Sequence, residues 1–261
     1  MPACEPSERD ASINVTRHEI QVGSQTVYYQ VVGQGEPIIL IHGLSGSSRW
    51  WVRNIAALAE HYRLYLIDLP GFGTMRRYRR RLALDEIASS IVLWMEAVGI
   101  KQAHLVGHSM GGYICLWIAA HHAERIQCLV LVSPAGIPHI RSLPGYVLPL
   151  LATIRYVKPS FFSILISDGL RAGPLTIVRA AQDLLTKDIR NCLKDITTPT
   201  LLIWGEYDSL VPLVLGDILK QEIRYAHLLI LKKAGHVSMF DQPKQFNAAV
   251  LTFLADNAIG T

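Results

Sequence analysis

The chain has 261 residues, half of them apolar, which suits one large α/β domain or a domain with an insertion. Its formal net charge of +4 is too small to indicate nucleic-acid binding, and no apolar run approaches the ~18 residues of a membrane-spanning helix. The polar stretch from Met1 to Asp10 does not read as a signal peptide, and the four cysteines are scattered without a C-x-x-C pair. We therefore expect free thiols and a cytoplasmic location.

Short apolar strands alternate with helices along most of the chain. His18 to Val22 and Thr26 to Val32 flank Gly23-Ser24, which is a hairpin signal, and the apolar run Pro37 to Ile41 is typical of a strand covered on both faces. Further strands are predicted at Leu64 to Ile67, Ala103 to Val106, Cys128 to Val132, Thr200 to Trp204 and Leu228 to Leu231. Helical spacing predicts helices through Trp51 and Leu58, over Leu84 to Val98 and Tyr113 to Ala120, and from Pro243 onward. This alternation predicts an α/β fold with a mostly parallel, doubly wound sheet.

The alternation breaks once, between residues 136 and 195. Prolines separate short apolar helical pieces in this stretch, and it contains no clean strand. The insertion follows the carboxyl end of a strand, where open α/β sheets bind ligands. We therefore predict a small helical cap at residues 136–195 on a core formed by residues 1–135 and 196–261. Apolar cap residues such as Phe161 and Phe162 are expected to line a substrate pocket.

The stretch Gly107-His108-Ser109-Met110-Gly111 lies where a predicted strand runs directly into a predicted helix. A serine on such a corner has a strained backbone, and the flanking glycines let strand and helix pass close together. The serine hydroxyl is then held clear of the backbone at the positive end of a helix. This G-x-S-x-G spacing is that of a nucleophile elbow and predicts Ser109 as the nucleophile.

A serine nucleophile needs a histidine to accept its proton, and the histidine needs an acid to fix its tautomer. His236 follows the last predicted strand, and Asp208 follows the strand before it. The carboxyl ends of parallel strands share one edge of the sheet, so both side chains are expected near Ser109. Glu206 and Asp241 remain alternatives for the acid, and Asp208 is preferred for its position in the motif.

The remaining groups of such a site are an oxyanion hole and a pocket. The backbone N–H groups of Met110, directly after the nucleophile, and of Leu44, in the loop after the third strand, are predicted to form the oxyanion hole. His108 and Val211 are expected to line the substrate pocket together with the two cap phenylalanines. This chemistry implies neither a metal nor an organic cofactor.

Together these pieces resemble the α/β-hydrolase superfamily, of the serine esterase and lipase type. The matching motifs run in family order over about residues 20–256 and are His42-Gly43, Asp68 to Gly73, Gly107 to Gly112, Gly205 to Asp208 with Val211-Pro212, and Gly235-His236 with Asp241 and Pro243. The resemblance implies the fold of this superfamily and a catalytic triad of Ser109, Asp208 and His236. A serine rather than an aspartate as nucleophile argues against haloalkane dehalogenases and epoxide hydrolases. Val237, where tryptophan is usual, weakens the likeness to the carbon–carbon bond hydrolases of aromatic degradation.

The sequence thus predicts a serine hydrolase that cleaves carboxylic esters with apolar acyl or alcohol groups through an acyl-enzyme intermediate. A carbon–carbon bond hydrolase, a thioesterase and a small-molecule receptor with weak turnover remain alternatives on this fold. The expected partner is a small apolar ester rather than a nucleic acid, and the oligomeric state is left open. An arginine-rich loop is expected to be solvated, with weak contact to a membrane surface as the alternative. Its cationic residues are Arg76, Arg77, Arg79, Arg80 and Arg81.

Overall fold

A computed structural model of the chain describes residues 14–23, 25–78, 82–139 and 142–258. The described residues form one eight-stranded sheet. Its strands are β1 (Thr16–Val22), β2 (Gln25–Val32), β3 (Pro37–Ile41), β4 (Arg63–Ile67), β5 (Ala103–His108), β6 (Ile126–Val132), β7 (Thr200–Gly205) and β8 (Ala226–Leu231). Their spatial order is β1-β2-β4-β3-β5-β6-β7-β8. The pairs β1–β2 and β2–β4 are antiparallel, and every other neighbouring pair is parallel.

Helices cover both faces of this sheet. They are α1 (Ile55–Ala59), α2 (Leu84–Ala97), α3 (Met110–His121), α4 (Val147–Ile154), α5 (Pro159–Ala172), α6 (Pro174–Leu185), α7 (Leu213–Glu222), α8 (Ser238–Asp241) and α9 (Pro243–Asp256). Successive residues of a strand point to opposite faces, so Ile39 packs in the core beneath α2 and α3, whereas Leu40 packs in the core beneath α1 and α9. The predicted fold class, a mostly parallel doubly wound sheet, is confirmed.

The helix predicted to run through Trp51 and Leu58 is interrupted. Ser48–Trp51 form a short 3-10 turn, and α1 begins only at Ile55. Between the two elements, the buried side-chain amide of Asn54 donates hydrogen bonds to a backbone carbonyl of α8 and a side-chain oxygen of α9. These long-range bonds hold a turn at a place where local periodicity predicts a continuous helix.

The stretch between β6 and β7 contains no strand among the residues that the structure describes. Instead, α4, α5 and α6 fill it, and the predicted limits of the cap at residues 136 and 195 stay a prediction. Gly173, with a φ of 80°, ends α5 and separates it from α6. No single described helix is long and apolar enough to cross a membrane; α5 and α6 reach that length and composition only as a pair, which is bent by 95°.

The carboxyl edge of the parallel strands carries the loops that matter for chemistry. Leu44 lies in the loop after β3, and Ser109 directly follows β5. Asp208 follows β7, and His236 follows β8. The topology therefore brings four segments that are far apart in sequence to one edge of the sheet, beneath the helices α4 to α6.

Candidate active site

Ser109 sits on a strained corner between β5 and α3. Its φ of 51° and ψ of −112° are dihedral angles that L-residues rarely adopt. A Cβ atom on Gly107 would lie 2.5 Å from the carbonyl oxygen of Gly111. A Cβ on Gly111 would in turn lie 2.4 Å from the carbonyl oxygen of Ile41 in β3. The two glycines are therefore needed for close packing of the corner, as the sequence predicted.

The loops after β7 and β8 interlock through a second close approach. A Cβ atom on Gly205 would lie only 2.0 Å from the carbonyl oxygen of Gly235. The backbone N–H of Tyr207 donates to the carbonyl oxygen of Ala234 at 2.9 Å. Because the two loops are fixed to each other, the side chains that they carry have a defined relative position.

Asp208 and His236 form a buried hydrogen-bonded pair. The Nδ1–H of His236 donates to Oδ2 of Asp208 at 2.8 Å. The other carboxylate oxygen accepts hydrogen bonds from the backbone N–H groups of Leu210 at 3.0 Å and Val211 at 2.9 Å. Burial opposes ionisation of Asp208 and by itself would raise the pKa of its carboxyl. The electrostatic attraction of His236 and the hydrogen bonds that His236 and Val211 donate outweigh burial, so the pKa is lowered. Asp208 is therefore a carboxylate at neutral pH.

The two alternative acids make other contacts. Glu206 accepts a hydrogen bond from the backbone N–H of Lys233 at 3.0 Å. Asp241 is buried and accepts one from the backbone N–H of Gly235 at 2.9 Å, and burial raises the pKa of its carboxyl. Both residues hold the loop before His236 by its backbone, whereas the hydrogen bond to the His236 ring comes from Asp208.

His108 braces the same histidine from the other side. Its Nε2–H donates to the backbone carbonyl oxygen of His236 at 2.9 Å, and the two ring centroids lie 4.8 Å apart. Burial, with a smaller contribution from His236, lowers the pKa of His108 to about 3. A neutral His108 that donates to a carbonyl fixes the His236 backbone. This bracing contact could not be inferred from the local sequence, which indicates only a buried residue beside the elbow.

The loop after β3 lies directly against the nucleophile. A Cβ on Gly43 would lie 3.2 Å from Cβ of Ser109. His42 holds this loop, because its Nδ1–H donates to the carbonyl oxygen of Gly43 at 2.8 Å and its Nε2 accepts from the N–H of Leu69 at 3.0 Å. Leu44 follows in the same loop, and Met110 is the first residue of α3. The two residues expected to form the oxyanion hole thus belong to segments that meet at Ser109.

A cavity of about 310 Å³ lies between the sheet edge and the cap helices. From the core, Leu44, Ser109, Val211 and His236 line it, as does His108. From the cap, its walls are mostly apolar, with Leu150, Phe161, Leu165 and Ile177, and also include His139, Thr153 and Lys187. Ser109 and His236 face one space, although no hydrogen bond joins the serine hydroxyl to the histidine ring in this structure. Such contacts often tighten only when a substrate binds.

The pocket assignment of Phe162 is wrong. This side chain is 42% exposed, whereas that of Phe161 is 1% exposed and packs against Trp50 and Phe240. Both residues belong to α5, and consecutive residues of an α-helix point about 100° apart. A helix that turns Phe161 into the cavity therefore turns Phe162 away from it.

Three other features of the described residues are the arginine-rich loop, the cysteines and the arrangement of possible metal ligands. Arg76 and Arg77 are exposed, whereas Arg79, Arg80 and Arg81 lie outside the described residues. The described cysteines are free thiols. In the described part of the chain, no group of three or more His, Cys, Asp or Glu residues is arranged to hold a metal ion.

Comparison with known proteins identifies a family and several relatives. The family described as alpha/beta hydrolase fold matches residues 36–173, and the one described as TAP-like protein matches residues 181–260. A 2-hydroxy-6-oxo-6-phenylhexa-2,4-dienoate hydrolase of Burkholderia cepacia is 30% identical, over 97% of this chain and 99% of that protein. A pimeloyl-[acyl-carrier protein] methyl ester esterase of Vibrio vulnificus (strain YJ016) is 27% identical, over 88% of this chain and 98% of its own. Among solved structures, a bacterial membrane phospholipase A superposes with a TM-score of 0.82 at 23% identity, covering 94% of this chain and 87% of that chain.

Proposed function

The chain belongs to the α/β hydrolase fold family, and from this premise we propose that it is a serine hydrolase that cleaves carboxylic esters with apolar acyl or alcohol groups. One observation carries the proposal. Asp208 is hydrogen-bonded at 2.8 Å to Nδ1 of His236, and this histidine lines the same cavity as the strained Ser109. Nucleophile, base and orienting acid are the three groups that acyl transfer from a serine requires.

The first half-reaction forms an acyl-enzyme. Because Nδ1 of His236 carries the proton donated to Asp208, Nε2 of the neutral ring is free to accept one. The Ser109 hydroxyl oxygen attacks the ester carbonyl carbon as its proton passes to that nitrogen. The N–H groups of Leu44 and Met110 stabilise the negative oxygen of the tetrahedral intermediate. The intermediate collapses, and the leaving alcohol takes the proton from His236.

The second half-reaction releases the acid. A water molecule gives a proton to Nε2 of His236 and attacks the acyl carbonyl carbon. The bond to the Ser109 oxygen then breaks, and the serine recovers its proton from His236. Throughout, the ionised Asp208 stabilises the imidazolium and keeps the ring in one orientation.

The cavity supports an apolar substrate. Most of its cap wall consists of apolar side chains such as Leu150, Phe161 and Ile177, although Lys187 adds one charged group to the lining. Each methylene group transferred from water to such a wall contributes about 0.8 kcal/mol. One full-length relative is an ester hydrolase, which supports the ester bond as the target.

Cleavage of a carbon–carbon bond is the second candidate, because a relative that acts on a phenylhexadienoate is 30% identical over nearly the whole chain. The same serine, histidine and aspartate could serve that reaction. Val237 lines the cavity beside His236, at the position where carbon–carbon bond hydrolases usually have tryptophan, and this difference weakens the second candidate. A direct assay separates the two candidates: loss of the dienoate absorbance without hydrolysis of p-nitrophenyl esters would favour the carbon–carbon reaction.

A fluorophosphonate probe tests the serine mechanism. We expect a single covalent adduct on Ser109, located by mass spectrometry of the digested protein. Ser109→Ala should remove the adduct and lower ester turnover by about 10⁴-fold or more while leaving the circular dichroism spectrum unchanged. Ser90→Ala, on α2, should label like the wild type. An adduct elsewhere, or a labelled protein without a burst of product from a chromogenic ester, would refute the proposal and favour a receptor.

A further inference from the structure

The cap exposes an unusually apolar outer surface. Large apolar residues on α4, α5 and α6 are 42% to 79% exposed, and we refer to the surface that they form as the outer cap face. Its principal residues are Leu148, Leu151, Phe162, Ile166, Leu170 and Leu175. Within the described part of the chain, no other segment covers these side chains. Several large apolar side chains exposed on one insertion of a folded protein indicate an interaction site.

Helix geometry separates the outer cap face from the cavity beneath it. On α5, Phe161 and Leu165 line the cavity, and the exposed Phe162, Ile166 and Leu170 follow one another at intervals of four residues. The exposed stripe is therefore a second apolar face of a helix whose inner face is already buried. The apolar character of these residues serves neither the core nor the cavity wall.

The same arrangement holds on the other two cap helices. On α6, Ile177 lines the cavity and Leu175 is exposed. On α4, Leu150 both lines the cavity and is 49% exposed, while Leu148 and Leu151 are exposed. Leu150 therefore lies at a rim where the outer cap face and the cavity meet.

The exposed charges along most of this face are positive. Residues 142–182 contain a single acid, Asp168, and it is buried, where it accepts hydrogen bonds from Ser47 and Arg49. The cations of the same segment include three exposed arginines. They are Arg155, Arg171 and Arg179. The solvent-facing part of residues 142–182 thus combines apolar side chains with positive charge. Two acids that follow in the cap, Asp183 and Asp188, are paired with Lys187 and Arg190.

Two further arginines extend this positive charge. A Cβ on Gly71 would lie 2.8 Å from Cγ2 of Thr176, so the loop after β4 packs against α6. The exposed Arg76 and Arg77 follow in that loop. Positive charge therefore continues from α6 onto the neighbouring loop of the core.

We propose that the outer cap face docks the protein onto the surface of an anionic lipid bilayer. Leucine and phenylalanine side chains would enter the boundary between headgroups and acyl chains, while the arginines contact anionic headgroups. The bend of 95° between α5 and α6 fits helices that lie on a membrane rather than cross it. Docking involves no chemical step at Ser109, so it can be tested independently of the proposed reaction.

The test is co-sedimentation with lipid vesicles. The full chain is mixed with sucrose-loaded vesicles of phosphatidylcholine alone, or of phosphatidylcholine with phosphatidylglycerol, and the bound fraction is measured. We expect binding to the vesicles that contain phosphatidylglycerol, weakened by salt because surface charges are screened. Leu148→Ser and Leu170→Ser, at positions 77% and 79% exposed, should each weaken binding roughly ten-fold. Arg179→Glu should weaken it roughly five-fold or more.

Two control variants are matched to these changes. Leu93→Ser replaces a leucine of α2 that is 53% exposed outside the cap, and Arg224→Glu changes an exposed arginine next to the amino end of β8, at the opposite sheet edge. Both should bind like the wild type. The proposal is wrong if the wild type stays in the supernatant with both kinds of vesicle, or if the cap variants bind as tightly as the controls. It is also wrong if light scattering shows a dimer that Leu170→Ser dissociates while no variant changes vesicle binding.

Discussion

His108 donates a hydrogen bond from Nε2 to the backbone carbonyl oxygen of His236, across a distance of 2.9 Å. The residue beside the nucleophile therefore holds the backbone of the proposed base. Ser109 is the next residue after His108, so the elbow positions both reacting groups. A change at His108 should alter the relative position of serine and histidine without removing either of them.

His108→Phe should lower kcat by about ten-fold with little change in KM. Phenylalanine also has an aromatic ring, but it has no N–H that could donate to the His236 carbonyl oxygen. Without this bond His236 can shift, and small displacements of a catalytic group reduce the rate. His108→Gln, which keeps a donor, should recover part of the loss. Steady-state kinetics on a p-nitrophenyl ester measures both values. Equal kcat for the phenylalanine variant and the wild type would show that the contact does not position His236.

Asp208→Asn should reduce ester turnover by about 10⁴-fold, because an asparagine favours the wrong tautomer of the His236 ring. Asp241→Asn is the matched control, since Asp241 is also buried and hydrogen-bonds the loop that carries His236. The asparagine side-chain oxygen can still accept the hydrogen bond from the N–H of Gly235, so activity should stay within a few-fold of wild type. The reverse pattern, with Asp241→Asn inactive and Asp208→Asn active, would mean that the acid is misassigned.

Stability should fall on acidification because of His108. Burial lowers the pKa of this residue to about 3 in the folded protein, whereas an exposed histidine has a pKa of about 6.5. The unfolded chain thus binds a proton that the folded chain does not. The corresponding stability is present above pH ~6.5 and is lost as the pH falls towards ~3.

This linkage gives a measurable difference between two proteins. At pH 4.5, the contribution of His108 to the free energy of unfolding should be smaller than at pH 7 by roughly 2–3 kcal/mol. The His108→Phe variant lacks the titrating group. Between pH 7 and pH 4.5, its free energy of unfolding should therefore fall by less than that of the wild type, and the difference should equal this amount. Urea unfolding at both pH values measures the difference. An identical loss in both proteins would contradict the linkage.

Phe161 should decide which acyl chains the cavity accepts. In the wild type, kcat/KM should rise with acyl length by up to about four-fold per methylene and level off where the cavity ends. Phe161→Ala enlarges the cavity and should shift the optimum to longer chains. Phe162→Ala, one residue away but exposed, should leave the profile unchanged. A p-nitrophenyl ester series tests all three proteins. Equal shifts of the optimum in both variants would show that the cavity wall at Phe161 does not determine the acyl-length preference.

The sequence alone predicted much of the fold and the candidates for the site. Strand and helix periodicity predicted the doubly wound sheet, which the structure confirms. The glycines around Ser109 predicted a tight corner, since only glycine permits such close approach of backbones, and the structure has that corner. The positions of Asp208 and His236 after successive strands predicted that they lie at one sheet edge. These inferences succeed because they depend on local conformation and on the order of strands.

Other features were decided only by tertiary structure. Phe161 and Phe162 are identical in type and adjacent in sequence, and only the rotation of α5 against the core determines which one enters the cavity. The bond from His108 to His236 joins residues 128 positions apart, so no local pattern encodes it. The break in the helix before α1 likewise depends on bonds from Asn54 to distant helices. Periodicity specifies that a face is apolar, whereas packing between distant segments determines what each side chain on it contacts.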